Sequence, residues 1–576
     1  MNKRIAVIPG DGIGKEIVAE GIKVLNAVAE KNGHTFEYKH ADMGGAAFDK
    51  EKSSLPPEKL SSLDKLPDAE KLSLTLPKKT LDVMDWARDE NGAILFGSVG
   101  RDDLPKRAAE LALLAMRKRY GVVNNRPFII DPILAHNSVL FREPVEVKGF
   151  EVVSPSHSLY NGNTKGNGFF HSTRKDAIRS DLEKTVRFAI EKAIYEKKQI
   201  MCVSKFNVLV SEKMLSDVFE QLLPEYEKLV ALNPYTIKGK GQLIIDNAGM
   251  QIAANPKKYE NTIVIADAMF GDFLKAIVDV VSGSKPVNKT ALQEIKEKGI
   301  YRTFIRELCG GLYFGERKSE KDFSYDTMHY DSKTIRNLAS VAKRVNEQLG
   351  LPTVDSLEID GVPTFGFWAK VLDKDASRNN YRMRHMNVRE GVETLLTDPA
   401  SLGTVISSNM VGDIYTDLAA AVVGKSLGLM PSSAVNADGF GIYEQIAGSA
   451  PDIAGQNKAN PIAQIRSVAM MLEDLGDKKG ADAIYRAITK ALSVSRTDDI
   501  LEDGYKRAWP AIRDGNFTTI LVGLILFTFG TSFVKGFAFT LVIGNLVGMF
   551  TSIFITNNLL RFFSREKSKK WLWLWR

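Results

Sequence analysis

Cysteine is nearly absent from this chain. Its 576 residues hold two, Cys202 and Cys309, with no Cys-x-x-Cys spacing. That excludes a disulfide framework and a thiolate zinc site, and fits a reducing compartment. Histidine is scarce as well: seven in all, none at metal-ligand spacing. Charge of one sign is also lacking, with 77 Lys and Arg against 70 Asp and Glu. Much of the net +7 falls at the C-terminal end, so nucleic acid is not an expected partner. Met1-Asn-Lys-Arg4 leads straight into a strand, so no signal peptide is expected. What remains is globular in composition, 44% hydrophobic and 26% charged, and long enough for two or three domains.

The informative stretch is Asn409-Met-Val-Gly-Asp-Ile-Tyr-Thr-Asp417. On a helix, Asp413 and Asp417 lie on one face a turn apart. Apolar residues follow, so the carboxylates are expected to be buried beside a partner, and a hard divalent cation takes oxygen ligands. A solvated acidic face is the plainer alternative. Next comes Gly448-Ser-Ala-Pro-Asp-Ile-Ala-Gly455, a glycine-rich loop running into a helix and suited to close approach of a ligand.

Earlier in the chain, Ile5–Ile8 reads as a buried strand, Pro9-Gly-Asp-Gly-Ile-Gly14 as a tight turn, and Lys15 to about Glu30 as a helix. The turn suits either phosphate binding or an ordinary strand-to-helix connection. Lys50 to Lys79 reads as a loop with one short helix. Ala93–Phe96 is a second buried strand, and alternating strands and helices imply an α/β fold. The helix Ala108–Tyr120 carries Arg117, and Arg126 follows it. Two guanidiniums could face a polyanionic small molecule, or be scattered on a surface. Arg306–Glu316 reads as a strand and turn, with Tyr313 either a proton donor or a core aromatic.

Together these motifs resemble the β-decarboxylating dehydrogenases, the isocitrate and 3-isopropylmalate dehydrogenase family. The matching stretches are Ile8–Gly14, Arg117 with Asn125-Arg-Pro127, Arg306–Glu316, Gly412–Asp417 and Gly448–Pro461, in the family's order. The resemblance implies oxidation of a 2-hydroxy acid by NAD with Mg2+ or Mn2+, then loss of CO2. It implies that Arg117, Arg126 and Arg306 hold substrate carboxylates, and that Asp413 and Asp417 hold the metal. Tyr313 is then the proton donor. Glu110 with Leu113 and Leu114 matches the isopropylmalate type, an apolar wall for an isopropyl group. Glu444, Gly448, Ser449, Ala450, Asp452 and Asn460 would bind the cofactor, Asp452 favouring NAD by repelling a 2′-phosphate. Three departures stand out: Ala447 replaces a usual histidine, Lys15 a usual proline, and the run from Arg117 to Arg126 is one residue short.

The largest departure is an inserted repeat. Between Arg126 and Arg306, Phe141-Arg-Glu143 echoes Ile305-Arg-Glu307, and Met269-Phe-Gly-Asp-Phe273 echoes Met410-Val-Gly-Asp-Ile414. Ser204-Lys-Phe-Asn-Val208 resembles the family's catalytic lysine motif, and Asp246–Gln251 its third metal aspartate. The first copy has Gly149 at the tyrosine position and Ala276 at the second helix aspartate, yet keeps Lys205, Asp246 and Asp272. The second has Ile359 at the lysine position and Arg389 at the third aspartate, yet keeps Arg306, Tyr313, Asp413 and Asp417. The resembled site spans a dimer. The division expected here is that the first copy plays the partner within one chain. An idle repeat, or a homodimer whose copies meet between chains, are the alternatives.

The expected segments are therefore a dehydrogenase N-terminal part (1–128), an inserted repeat (129–300), a dehydrogenase second half (301–500) and a tail (505–576). The fold expected is α/β and isopropylmalate-dehydrogenase-like, with a duplicated middle and a transmembrane hairpin. The runs 517–534 and 537–560 lack charge, and basic residues flank both outer ends. They read as a hairpin in the cytoplasmic membrane with both ends cytoplasmic. The tail resembles the last two membrane helices of the protein-export subunit SecD. Two functions follow. One is a membrane-tethered, NAD-dependent 3-isopropylmalate dehydrogenase acting on a small-molecule substrate. The other is a non-catalytic membrane protein associated with the export translocase.

Overall fold

The computed structural model describes residues 1–492 except 134, 136–137, 156–159, 161–162, 232–240 and 425–426, with short pieces between 520 and 551. The chain divides into two units, Met1–Ile484 and Tyr485–Arg576. Most of the second, including most of the expected hairpin, lies outside the described residues. Among the described residues no helix is long and apolar enough to cross a membrane.

The first unit is built on a mixed ten-stranded sheet. Its spatial order is Met383–Asn387, Val354–Glu358, Thr404–Ser407, Ile300–Arg306, Val123–Ile130, Pro431–Val435, Gly441–Gln445, Ala93–Ser98, Asn2–Gly10 and Thr35–His40. Ala93–Ser98 is buried along its whole length, as an apolar run covered on both faces should be. Val123–Ile130 and Ile300–Arg306 are antiparallel neighbours, with Arg126 opposite Phe304. Everything between them is an excursion from one hydrogen-bonded pair.

That excursion builds its own parallel sheet, ordered Glu151–Val153, Thr262–Ile265, Gln199–Ser204 and Gln242–Ile244. The second half arranges Ile300–Arg306, Thr404–Ser407, Val354–Glu358 and Met383–Asn387 in the same sequential pattern. The two halves join in two ways. Strands Phe170–Ile178 and Phe323–Asp331 pair antiparallel, Phe170 opposite Asp331 and Ile178 opposite Phe323. Helix Asn409–Gly424 packs on Ile245–Ala254, and Ala268–Val281 packs on Val388–Thr397. With Met269 matched to Met410, each half contributes one helix to each pair, an approximate two-fold arrangement that yields two clefts.

Two expectations are corrected. Lys50 to Lys79 is not a loop with one short helix. It holds the end of Gly45–Glu51, then Pro57–Leu60 and Asp68–Thr75, with short 3-10 turns between, and Lys78–Arg88 begins at its end. Pro56, Pro67 and Pro77 each stand immediately before a helix, as N-caps. The prolines punctuate helices, since a fixed φ suits a first turn. Leu55, Leu63, Leu66 and Leu74 pack with Phe48 in a small satellite core. The second correction concerns Phe141-Arg-Glu143. Ile305 ends a strand, whereas Val139–Phe141 is a 3-10 turn, and Arg142 Nη1 donates to the carbonyl of Ala254. The echo in sequence is not an echo in structure.

Candidate active site

Helix Asn409–Gly424 starts where strand Thr404–Ser407 ends, so its first turns stand at the carboxyl edge of the sheet. Arg306 ends the neighbouring strand and lies across Gly412. A Cβ on Gly412 would come within 2.7 Å of the Arg306 Cγ, so only glycine lets the arginine pass. Arg306 donates from Nε and Nη2 to Asn409 Oδ1, at 3.0 and 2.7 Å, and from Nη1 to Asp413. Tyr313 Oη donates to Asp413 Oδ2 at 3.0 Å.

The inserted segment reaches the same carboxylate. Lys205 is 2% exposed, and its Nζ donates to Asp413 Oδ2 at 2.9 Å and to Asp246. It is held from behind. Its backbone N–H donates to Glu212 Oε2 at 3.3 Å, and Glu212 pairs with the fully buried Lys175, which also meets Asp267 at 3.0 Å. Burial raises Glu212 to about 7 against the pull of Lys175.

The electrostatics follow from burying many charges together. Burial opposes the charge on Asp413, yet Arg306 and Lys205 hold it well below the ordinary carboxylate range. Burial and then Asp413 push Asp417 up to about 7, and the same two causes raise Asp246. Burial and the Asp413 charge raise Tyr313, so its hydroxyl keeps its proton. Burial and the neighbouring Arg306 lower Arg126 to about 10.

The three arginines are placed differently. Arg126 Nη1 donates to Thr416 Oγ1 at 2.6 Å, and Arg117 Nη2 to Glu444 Oε1 at 3.4 Å. The Nε of each is buried without a hydrogen-bond partner. These are unmet donors facing a region that already carries three guanidiniums, a setting for an anion. Glu444 is thereby tied to the arginine side of the site. Glu110 is exposed and lies 3.8 Å from Arg107. Leu113 and Leu114 are half-buried, and Leu113 leans on the core beneath.

The glycine loops serve one another. Ile13 N–H donates to the Ser449 carbonyl at 2.9 Å, and a Cβ on Gly12 would fall 2.0 Å from that oxygen. The buried Asp11 carboxylate accepts from the backbone of Gly45, Ala46 and Gly100. The first loop is therefore a packed connection. The second stays open: Gly448 would meet nothing with a Cβ, Ala450 sits at φ 39°, and Asp452 is exposed. Asn460 Oδ1 accepts from Ile462 N–H at 3.0 Å, starting the next helix.

The donor chemistry fits a divalent cation. Asp246, Asp413 and Asp417 offer only hard oxygens, Asp246 Oδ1 is buried and unpartnered, and Asp417 carries a raised pKa in their company. Among the described residues no three His, Cys, Asp or Glu side chains already converge as a metal cluster. The Lys205 ammonium stands between Asp246 and Asp413 instead. Sequence reasoning missed Asn409 and Thr416, four residues before and three after Asp413 on the same helix face, where that spacing is the available signal. It also missed the buried Lys175, Glu212 and Asp267, which carry no local motif.

An α/β scaffold that gathers arginines, a lysine and a tyrosine around carboxylates at a sheet's carboxyl edge defines a dehydrogenase-type enzyme. The chain belongs to the isocitrate/isopropylmalate dehydrogenase family, which matches residues 4–80, 66–301 and 278–509. It is 35% identical over 240 residues to a 3-isopropylmalate dehydrogenase of Clostridium acetobutylicum, covering 40% of this chain and 65% of that one. It is 26% identical over 519 residues to the Helicobacter hepaticus 3-isopropylmalate dehydrogenase, covering 88% and 95%. The crystal structure of isocitrate dehydrogenase from Methylococcus capsulatus aligns with a TM-score of 0.46 at 17% identity, over 85% of this chain and 91% of that one. Residues 513–566 match the C-terminal region of the protein-export membrane proteins SecD and SecF.

Proposed function

We propose that this chain oxidises 3-isopropylmalate with NAD and releases CO2, at one site completed within a single chain. The observation that carries this is the meeting of Lys205 and Asp246 from the inserted segment with Asp413, Arg306 and Tyr313 from the second half. Arg117, Arg126 and Arg306 bind the substrate carboxylates, the unmet Nε donors of the first two being filled by it. Leu113 and Leu114 flank the isopropyl group. Lys205 takes part in moving the proton of the substrate hydroxyl. Tyr313, whose hydroxyl keeps its proton, delivers one to the carbon that loses its carboxylate.

Asp413, Asp417 and Asp246 hold Mg2+ or Mn2+, which when bound supplies a Lewis acid for the hydroxyl oxygen and the charge left by decarboxylation. Gly448, Ser449, Ala450, Asp452 and Asn460 hold NAD, with Asp452 against a 2′-phosphate. The charge-free runs 517–534 and 537–560, and the SecD/SecF match over them, support a tether in the cytoplasmic membrane with both ends cytoplasmic. The site needs no second chain, although a homodimer is compatible with it.

NADH formation from 3-isopropylmalate, with and without Mg2+, tests this reading. Turnover that needs the metal and exceeds that with isocitrate is expected. Absence of turnover in a folded preparation favours the non-catalytic translocase-associated alternative.

A further inference from the structure

A groove of about 560 Å3 lies away from the aspartate cluster, where the turn Gly166–Gly168 faces helices Ser332–Leu349 and Pro363–Asn379. Arg336, Lys370, Lys374 and Arg378 line it and all are exposed. The last three recur every four residues, so they share one helix face. None of the four has an ion pair or side-chain hydrogen bond among the described residues. The one acid in the lining, Asp375, is buried and accepts from Tyr381 Oη at 3.0 Å. Asp373 on the same helix is turned to His385, at 3.0 Å. His171 also borders the groove, with its ring stacked on Phe367 at 6.2 Å and Nδ1 3.1 Å from Thr364 Oγ1.

The corresponding helices of the other half, Arg179–Glu196 and Val210–Ala231, make the contrast. There Arg179 meets Gln221 at 3.1 Å and Glu183 at 3.8 Å, Lys213 meets Asp217 at 2.6 Å, and Arg187 meets Glu225 at 2.7 Å. The same architecture thus carries neutralised cations on one side and four uncompensated ones on the other. A concave surface lined by one sign of charge concentrates the opposite sign. Guanidinium and ammonium groups together suit phosphate oxygens. The row from Lys370 to Arg378 spans about 12 Å at 1.5 Å per residue, the reach of a short chain of phosphates. The volume is that of a small-molecule site.

We propose that this groove binds a small phosphorylated polyanion, a polyphosphate chain or the phosphates of a nucleotide, at a site distinct from the dehydrogenase centre and beyond its proposed activity. The test is calorimetric titration of the full chain with inorganic tripolyphosphate at low ionic strength, repeated with ATP. Saturable binding is expected, weakened about tenfold or more in a Lys374→Gln/Arg378→Gln variant and unchanged in Arg187→Gln. The side chains are exposed, so the variant should fold. Its unliganded thermal midpoint, at or above that of wild type because repulsion is relieved, checks this. Four results overturn the proposal: no saturable binding, equal affinity in the double variant, displacement by 3-isopropylmalate or NADH, or binding to phosphatidylserine vesicles with none to free tripolyphosphate.

Discussion

In one cleft, Asp413 and Asp417 on helix Asn409–Gly424 face Asp246 on Ile245–Ala254, with Lys205 between. In the other, the matching helices bring Asp272 opposite Arg389, with Ile359 where the first has Lys205 and Ala276 where it has Asp417. That second cleft is a cavity lined by Tyr160, Asp272, Ile359, Asp360 and Arg389, among others. Several of its charges are already paired. Arg389 Nη2 donates to Asp279 at 2.6 Å and Nε to Glu393 at 3.1 Å, while Glu358 pairs with His385 at 2.6 Å. The frame is kept twice and the proposed reacting groups once. A duplicated scaffold is held by its core, through packed helices and paired strands that tolerate polar change at the cleft. The proposed chemistry needs one full set, and in the proposed site that set is drawn from both copies.

The comparison breaks most sharply under substitution of its central pair. Asp413→Asn or Lys205→Met should each lower kcat/KM about a thousandfold, the scale of a lost acid–base or charge-stabilising group. Asp272→Asn should change it less than about twofold, because a group outside the reacting centre contributes nothing at the transition state. Equal losses in the two clefts would show two working sites. Next is the buried support behind Lys205. Lys175→Met leaves Glu212 and Asp267 as uncompensated buried carboxylates, and should cost about 3–5 kcal/mol in denaturant unfolding.

Cofactor choice is a smaller effect. Asp452→Ala should raise kcat/KM with NADP by roughly tenfold, the size of one removed charge repulsion near a phosphate, and leave NAD little changed. The least effect is the pH dependence from His385. Its hydrogen bond to Glu358, helped by Asp373 and opposed by partial burial, raises it to about 9. A raised histidine binds its proton more tightly when folded, so its contribution is complete below the unfolded value and fades as pH rises through about 9. In His385→Gln the fall in stability over that window should be smaller by about 1 kcal/mol or less. An unchanged slope would show that Glu358 is free in the second cleft.

Much of the first unit was legible in the chain. The apolar run at Ala93, the glycine turn after Ile8 and the acidic spacing at Asp413 each follow a local rule, and the strands and helices stand where those rules place them. The helices of 45–79 were hidden because proline reads as a breaker until its place before a first turn is known. Of the two readings of Gly10–Gly14, the packing favours the ordinary connection, and no local signal shows that Asp11 accepts from three backbone amides. The trio of Lys175, Glu212 and Asp267 joins residues far apart in sequence, and only the fold brings a buried charge to its partners.

The central claim is that one chain completes the site. Co-expressing Lys205→Ala and Asp413→Ala chains tests it most directly, by assaying NADH formation from the co-purified mixture. If Lys205 and Asp413 act within the same chain, every site carries a lesion and activity stays at the level of the separate variants. Recovery to roughly a quarter of wild type, as expected when symmetric dimers mix at random, would show that the site is shared between chains and contradict the account.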